Sequence, residues 1–439
     1  MSVARRPASG HRASLVAAAL LGWLAAQAPS MATEADGTAH PGRLVIAGGA
    51  LEPDNSEVWS AFLDGLPDRD SDTIAVIASA SAEPVSAFES VRKTLARYGV
   101  EPGRVFLVRA ATEDDPATPE DESLWVAGGS DEAEVGRVRS AGGIWFTGGD
   151  QARTARVLDA GSDAGTPLLE VLHERHRSGA VIGGTSAGAA IQSRTMILRG
   201  DSLTALLDPV ADAADASRME GGALVLGTGA GFFPFGVVDQ HFDRQARLGR
   251  LARSVSLAPG AAKGFGIDED TALVVDMATG RGTVAGRGSV TILIGDEQTR
   301  PGPGAGAFRI DDLSLSLATA GDRIDLMTGA VEPASYKSTD TLASPHYDHV
   351  VTSGGGIALP NFRLEDVLGI DLVDNGPTRS LDRWTFSADG RAVVYRFREE
   401  PGTRARGGQD PSGRHRYAIS GLRFSIVPGH VRLDVSDEE

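Results

Sequence analysis

Cysteine is absent from all 439 residues, which excludes disulfides, thiolate metal sites and a cysteine nucleophile. A chain without thiols is also compatible with an oxidising compartment. Long apolar runs are scarce: the stretch Leu15 to Ala26 falls short of the ~20 residues that a membrane-spanning helix needs, and no later segment reaches that length. Basic charge is in deficit, with 42 Lys and Arg against 59 Asp and Glu, a net charge of −17. Such a surface repels phosphate backbones and anionic lipid, so nucleic acid is not an expected partner, while a cationic polymer is admissible. No repeat with a period of 20 to 50 residues occurs, which excludes solenoids and propellers.

What is abundant is glycine, 55 residues of it, as expected where strands feed tight catalytic loops. The N-terminus joins Arg5, Arg6 and Arg12 to the apolar run and to the small-residue pattern Ala26-Gln27-Ala28. That order reads as a secretory signal over residues 1–28, predicting a secreted or periplasmic protein with no stable membrane insertion after cleavage.

From residue 43, short β-branched runs alternate with helical patterns: strands at 43–47, 74–78, 105–108, 144–147 and 181–182, helices at 56–66, 85–98, 131–139 and 167–177. The order predicts an α/β domain over 43–295, with a mostly parallel sheet flanked by helices and ligands at the carboxyl ends of its strands. Pro301 to Gly306 reads as a hinge, and residues 307–439 as a smaller β-rich C-terminal region in which 399–414 is a polar loop.

The sharpest motif is Gly183-Gly184-Thr185-Ser186-Ala187-Gly188-Ala189-Ala190, following the strand at Val181-Ile182. A strand, a glycine turn and a helix are the context in which G-x-S-x-G presents a nucleophilic serine. Ser186 then needs a base. Of nine histidines, His241 in Asp239-Gln240-His241-Phe242 stands at a strand end, whereas His173 and His176 share a polar helix whose H-E-x-H spacing lacks the zinc-protease pattern. No metal is expected. The third member is a carboxylate, and Asp268-Glu269-Asp270 offers three, with alternation setting Glu269 apart from its neighbours. Residue type alone does not choose among them. For an oxyanion, the Gly149 amide in Phe146-Thr147-Gly148-Gly149-Asp150-Gln151 and the Ala187 amide are the donors expected. Neither this cluster nor Gly227 to Gly231 has a nucleotide-binding spacing, so no cofactor is expected.

These segments, with Arg244, Arg247, Gly249, Arg250 and Gly266 to Ala272, resemble the cyanophycinase branch of peptidase family S51 over about residues 43–295. The resemblance implies a class I glutamine-amidotransferase-like fold and a Ser-His-Glu triad, which selects Glu269. It further implies a substrate pocket of Gln151, Asp239, Gln240, Arg247 and Arg250, and a homodimer. The implied activity is exopeptidase hydrolysis of cyanophycin, a polyaspartate carrying arginine on each β-carboxyl, to β-aspartyl-arginine dipeptides. The arginines suit carboxylates and Asp239 suits a guanidinium. The loop Gly48 to Asp54 departs from the family by lacking a glutamate-aspartate-lysine, which keeps short aspartyl or isoaspartyl peptides as alternative substrates. A non-catalytic peptide- or carbohydrate-binding protein is a third reading, against which the intact Ser186, His241 and Glu269 argue.

Overall fold

The computed structural model describes residues 41–162, 164–211, 222–257, 263–295, 308–351 and 362–432. The expected signal at 1–28 and the hinge at Pro301 to Gly306 lie outside them. The first half alternates as the periodicity predicts: β1 (Leu44–Ala47), α1 (Ser56–Leu63), β2 (Thr73–Ile77), α2 (Pro84–Arg97), β3 (Val105–Leu107), α3 (Glu132–Val138), β4 (Ala141–Phe146), α4 (Gln151–Leu158), α5 (Pro167–Arg177), β5 (Val181–Thr185) and α6 (Ala187–Ala190). Helix starts follow local chemistry. Thr166 caps α5 by accepting from the Leu169 amide, with Pro167 in the first turn, and Asp150 caps α4 by accepting from Ala152. Strands β1 and β4 are buried along their whole length, as strands covered on both faces must be.

Next come β6 (Thr195–Arg199), α7 (Ser202–Leu207), β7 (Val225–Thr228), β8 (Val237–Asp239), α8 (Leu248–Leu257), β9 (Lys263–Ile267), β10 (Thr271–Asp276), β11 (Arg281–Gly286) and β12 (Ser289–Ile294). The last part adds β13 (Ile310–Thr319), β14 (Arg323–Asp325), β15 (Val331–Glu332), β16 (Thr339–Asp340), α9 (Leu364–Leu368), β17 (Ser380–Phe386), β18 (Arg391–Arg398), β19 (Arg404–Gln409) and β20 (His415–His430).

The first sheet runs β15-β14-β11-β10-β1-β5-β4-β2-β3. It is mixed, which corrects the expectation of a mostly parallel sheet. Strands β3, β2, β4, β5 and β1 are parallel, but β10, β11, β14 and β15 continue the sheet antiparallel. Short connections account for the hairpins β10–β11 and β14–β15, since a parallel return needs a crossover of a dozen residues or more, while β10 and β14 re-enter the sheet from strands of the second sheet. The second sheet runs β16-β19-β20-β13-β12-β9-β8 with β18 and β17 beside β20, and its pairings are antiparallel except β8 with β9. The stretch 399–414, expected as a polar loop, contains β19. There Ala405 and Gly407 face inward while Arg404 and Arg406 face out, so composition hid a strand.

The expected boundary between 43–295 and 307–439 falls between β12 and β13, which pair over six positions from Ser289↔Thr319 to Ile294↔Ser314. One hydrophobic cluster draws Leu206, Phe242 and Leu251 from before that boundary and Leu315, Phe397 and Phe424 from after it. The C-terminal region therefore shares a core with what precedes it.

Candidate active site

Strand β5 delivers Ser186 at its carboxyl end, directly before α6. Two glycines permit the geometry: a methyl on Gly184 would lie 2.3 Å from the Gly188 oxygen, and one on Gly188 2.3 Å from the Phe146 oxygen. Ser186 itself has φ 56° and ψ −116°, a region that costs of order 1–3 kcal/mol and is held only where surrounding contacts over-determine it. Its amide donates to the Ala47 oxygen at 3.0 Å, tying the elbow to the end of β1.

The Ser186 hydroxyl donates to His241 Nε2 at 2.8 Å, and His241 Nδ1 donates to Glu269 Oε1 at 2.6 Å. With its proton on Nδ1, where the carboxylate requires a donor, the imidazole presents a lone pair to the serine. The two bonds join residues 55 and 28 positions apart. The loop Gly48-Gly49 after β1 holds the backbone at His241 and next to Glu269: the Gly48 oxygen accepts from the His241 amide at 2.5 Å and the Gly49 oxygen accepts from the Asp270 amide at 2.9 Å. Gly49, at φ 110°, lies so close to the imidazole that a methyl there would be 2.2 Å from its Cε1.

The other two acids of the trio turn elsewhere. Asp268 is buried and its Oδ2 accepts from the Ser289 amide and hydroxyl at 2.8 and 2.6 Å. Burial, aided by the nearby Asp243 charge, pushes its pKa up to about 8. Asp270 accepts from Asn55 Nδ2 at 2.8 Å and pairs with Arg287 at 2.9 Å. Sequence reasoning missed Asp243, whose Oδ1 accepts from the Glu269 amide at 3.1 Å, and the distal side of Glu269, where Arg244 lies 3.6 Å from Oε2. Arg244 was visible as part of the motif, whereas Asp243 carried no signal beyond its position two residues after His241.

Gly148 brings the β4 loop beside Ser186, since a methyl there would lie 3.3 Å from Ser186 Cβ. The Gly149 amide thus belongs to the loop beside the serine, and the Ala187 amide opens α6 directly after it. Around the end of β8, Asp239 is fully buried and accepts from Arg250 Nε and NH2 at 2.8 and 2.5 Å, while Arg250 NH1 donates to the Gly200 oxygen at 2.7 Å. Arg247 is buried too, donating to the Gln240 oxygen at 2.7 Å and to the Gln245 side chain. Gln151 Nε2 donates to the Ile197 and Leu198 oxygens at 2.9 and 2.8 Å. The side-chain oxygen of Gln240 is buried without a protein donor. Of the other histidines, His173 donates to the Ala230 oxygen at 2.9 Å, and His176 is buried beside Phe232, with burial lowering its pKa to about 4. The pair thus packs against the protein. Among the described residues no cluster of three or more His, Asp or Glu could hold a metal ion, and no helix is long and apolar enough to cross a membrane.

The profile of peptidase family S51 matches residues 44–281. Cyanophycinases of Trichormus variabilis and Nostoc sp. are 31% and 30% identical to this chain over 303 and 299 residues, spanning 67% of it and 88% of each relative. A cyanophycinase of Synechococcus elongatus is 33% identical over 256 residues, 58% of this chain and 68% of its own length. Among solved structures, a peptidase from an acI-B1 actinobacterium is 19% identical with a TM-score of 0.44, covering 65% of this chain and 97% of that one.

Proposed function

The chain belongs to peptidase family S51 and is a serine-type peptidase, and we propose that it is an exopeptidase that degrades cyanophycin to β-aspartyl-arginine dipeptides, with Ser186 as nucleophile. The observation that carries this reading is the hydrogen-bonded series Ser186–His241–Glu269 on a strained elbow. His241 Nε2 takes the hydroxyl proton as Oγ attacks the scissile carbonyl carbon, and Glu269 stabilises the imidazolium so formed. The amides of Gly149 and Ala187 receive the carbonyl oxygen as it becomes negative. The imidazolium then gives its proton to the departing amine, leaving an acyl-enzyme, and a water deprotonated by His241 releases the acid and restores Ser186.

Beside the serine, the family resemblance assigns substrate contacts to Gln151, Asp239, Gln240, Arg247 and Arg250, all of them buried. Asp239, Arg247, Arg250 and Gln151 are fixed by the internal bonds described above, which makes them positioning groups for the loop ends beside Ser186. The basic and apolar N-terminus supports export of the mature chain, to be checked by sequencing the N-terminus of protein recovered outside the cytoplasm.

Incubation of purified protein with cyanophycin, followed by mass spectrometry of the soluble products, tests the reading. Wild type should release β-aspartyl-arginine, and Ser186→Ala should release none while staying folded. Hydrolysis of short isoaspartyl peptides without attack on the polymer would establish the alternative that the altered Gly48–Asp54 loop favours. No hydrolysis of either would overturn the assignment.

A further inference from the structure

On the far side of the acid loop from Ser186 lies a cleft of about 830 Å³ where the C-terminal region meets the first sheet. Its lining brings together Arg287, Arg363, Arg414 and Arg416 with Asp54, Glu57 and Asp410. Four guanidinium groups in one cleft are out of keeping with a chain of net charge −17. The arginines are not equivalent. Arg416 is buried against Glu365 at 2.9 Å, Arg414 lies 3.4 Å from the same carboxylate, and Arg287 bridges Asp54 and Asp270 at 3.0 and 2.9 Å. Arg363, half-buried at the start of α9, has no acidic partner among the described residues. Of the acids, Asp54 is exposed at the rim while Glu57 accepts from the Gly286 amide.

A cleft with a spare guanidinium inside and, at its edge, an exposed carboxylate held among the described residues only by the exposed Arg287 is complementary to a ligand that carries both charges on each repeat. The cleft is also connected to the reaction centre: Asp270, which holds Arg287, is adjacent in sequence to Glu269, which holds His241. Most of its lining lies beyond residue 281, where the match to family S51 ends.

We propose that this cleft is a second binding site for the polymer substrate, in which Arg363 takes a carboxylate of one repeat and Asp54 a guanidinium, while another part of the same molecule lies at Ser186. The proposal rests on the cyanophycin reading. Holding a long substrate at two points raises its effective concentration at the nucleophile without altering the chemical step, so the advantage falls on long chains alone.

The test uses the full chain. Arg363→Glu should raise KM for long-chain cyanophycin roughly three- to tenfold, with kcat unchanged, because a partly exposed charge pair is replaced by repulsion. It should leave kcat/KM for a two-repeat oligomer within error of wild type, and Arg363→Lys should recover most of the polymer affinity. In the inactive Ser186→Ala background, Arg363→Glu should weaken co-sedimentation with cyanophycin granules. Equal changes on polymer and oligomer, or none on either, would overturn the second site while leaving the polymer activity standing. Failure of wild type to cleave cyanophycin would remove the underlying reading as well.

Discussion

Gly49→Ala tests the placement of the imidazole. A methyl group at residue 49 would lie 2.2, 2.4 and 2.7 Å from Cε1, Nε2 and Nδ1 of His241. Carbon contacts are comfortable from about 3.5 Å, so the ring must retreat by about 1.3 Å. The backbone of His241 has little freedom to follow, since it stands at φ 47° with its amide held by the Gly48 oxygen at 2.5 Å. The ring therefore swings away from Ser186, and the present 2.8 Å bond stretches beyond the hydrogen-bond range of about 3.2 Å. A misplacement of about 1 Å costs about 10²-fold in rate, and outright loss of the base about 10⁴-fold or more, so kcat should fall by about 10² to 10⁴. Alanine at φ 110° adds backbone strain of about 1–3 kcal/mol, lowering the melting temperature by a few degrees without unfolding the chain. The assay is kcat on cyanophycin alongside circular dichroism and labelling of Ser186 by a fluorophosphonate. A folded variant with activity within tenfold of wild type would refute the placement of the imidazole.

Glu269→Gln should lower kcat by about 10⁴, because the neutral amide cannot stabilise the imidazolium, whereas Asp268→Asn should keep most activity. Asp268 holds its proton to about pH 8 when folded and to only 3.8 when unfolded, so between those values the unfolded chain binds fewer protons and stability falls as pH rises. Thermal melts from pH 5 to 8.5 should therefore show Asp268→Asn gaining on wild type with increasing pH, and parallel curves would contradict the buried, protonated carboxyl. Lys337 and Asp322 form a fully buried pair at 2.5 Å, so Lys337→Met should cost about 3–5 kcal/mol in urea unfolding and a second change, Asp322→Asn, should return much of it. A chain ended at residue 295 should be insoluble or inactive, because β12 loses its partner β13 and the shared core is opened; a soluble, active fragment would disprove that dependence.

Much of the first half was readable from residue order. The spacing of apolar residues locates α2 almost to the residue, since one buried helix face imposes a 3.6-residue period whatever the partner, and the helical stretch expected at 167–177 coincides with α5. The elbow at Ser186 was legible for a similar reason: a buried strand, close-packed glycines and a following helix are local requirements, met within a dozen residues. Strand direction was not legible beyond β5. Whether β10 joins β1 parallel or antiparallel depends on where the chain re-enters the sheet, and the period of two is identical in both cases.

The charged residues divide along the same line. That Asp239, Arg247 and Arg250 are buried and that Arg250 satisfies Asp239 follows from the packing of α8 on β8 and β9, which no spacing of arginines encodes. Choosing Glu269 over Asp268 and Asp270 took the family resemblance. The structure supplies the physical reason: three consecutive carboxylates on a sharp turn point in three directions, and only the surroundings, Ser289 for Asp268, Asn55 and Arg287 for Asp270, His241 for Glu269, give each a partner. Sequence determines which groups can carry chemistry, because that is a property of the side chain; tertiary structure decides which of them do, because a carboxylate's charge and basicity depend on what lies within a few ångströms of it.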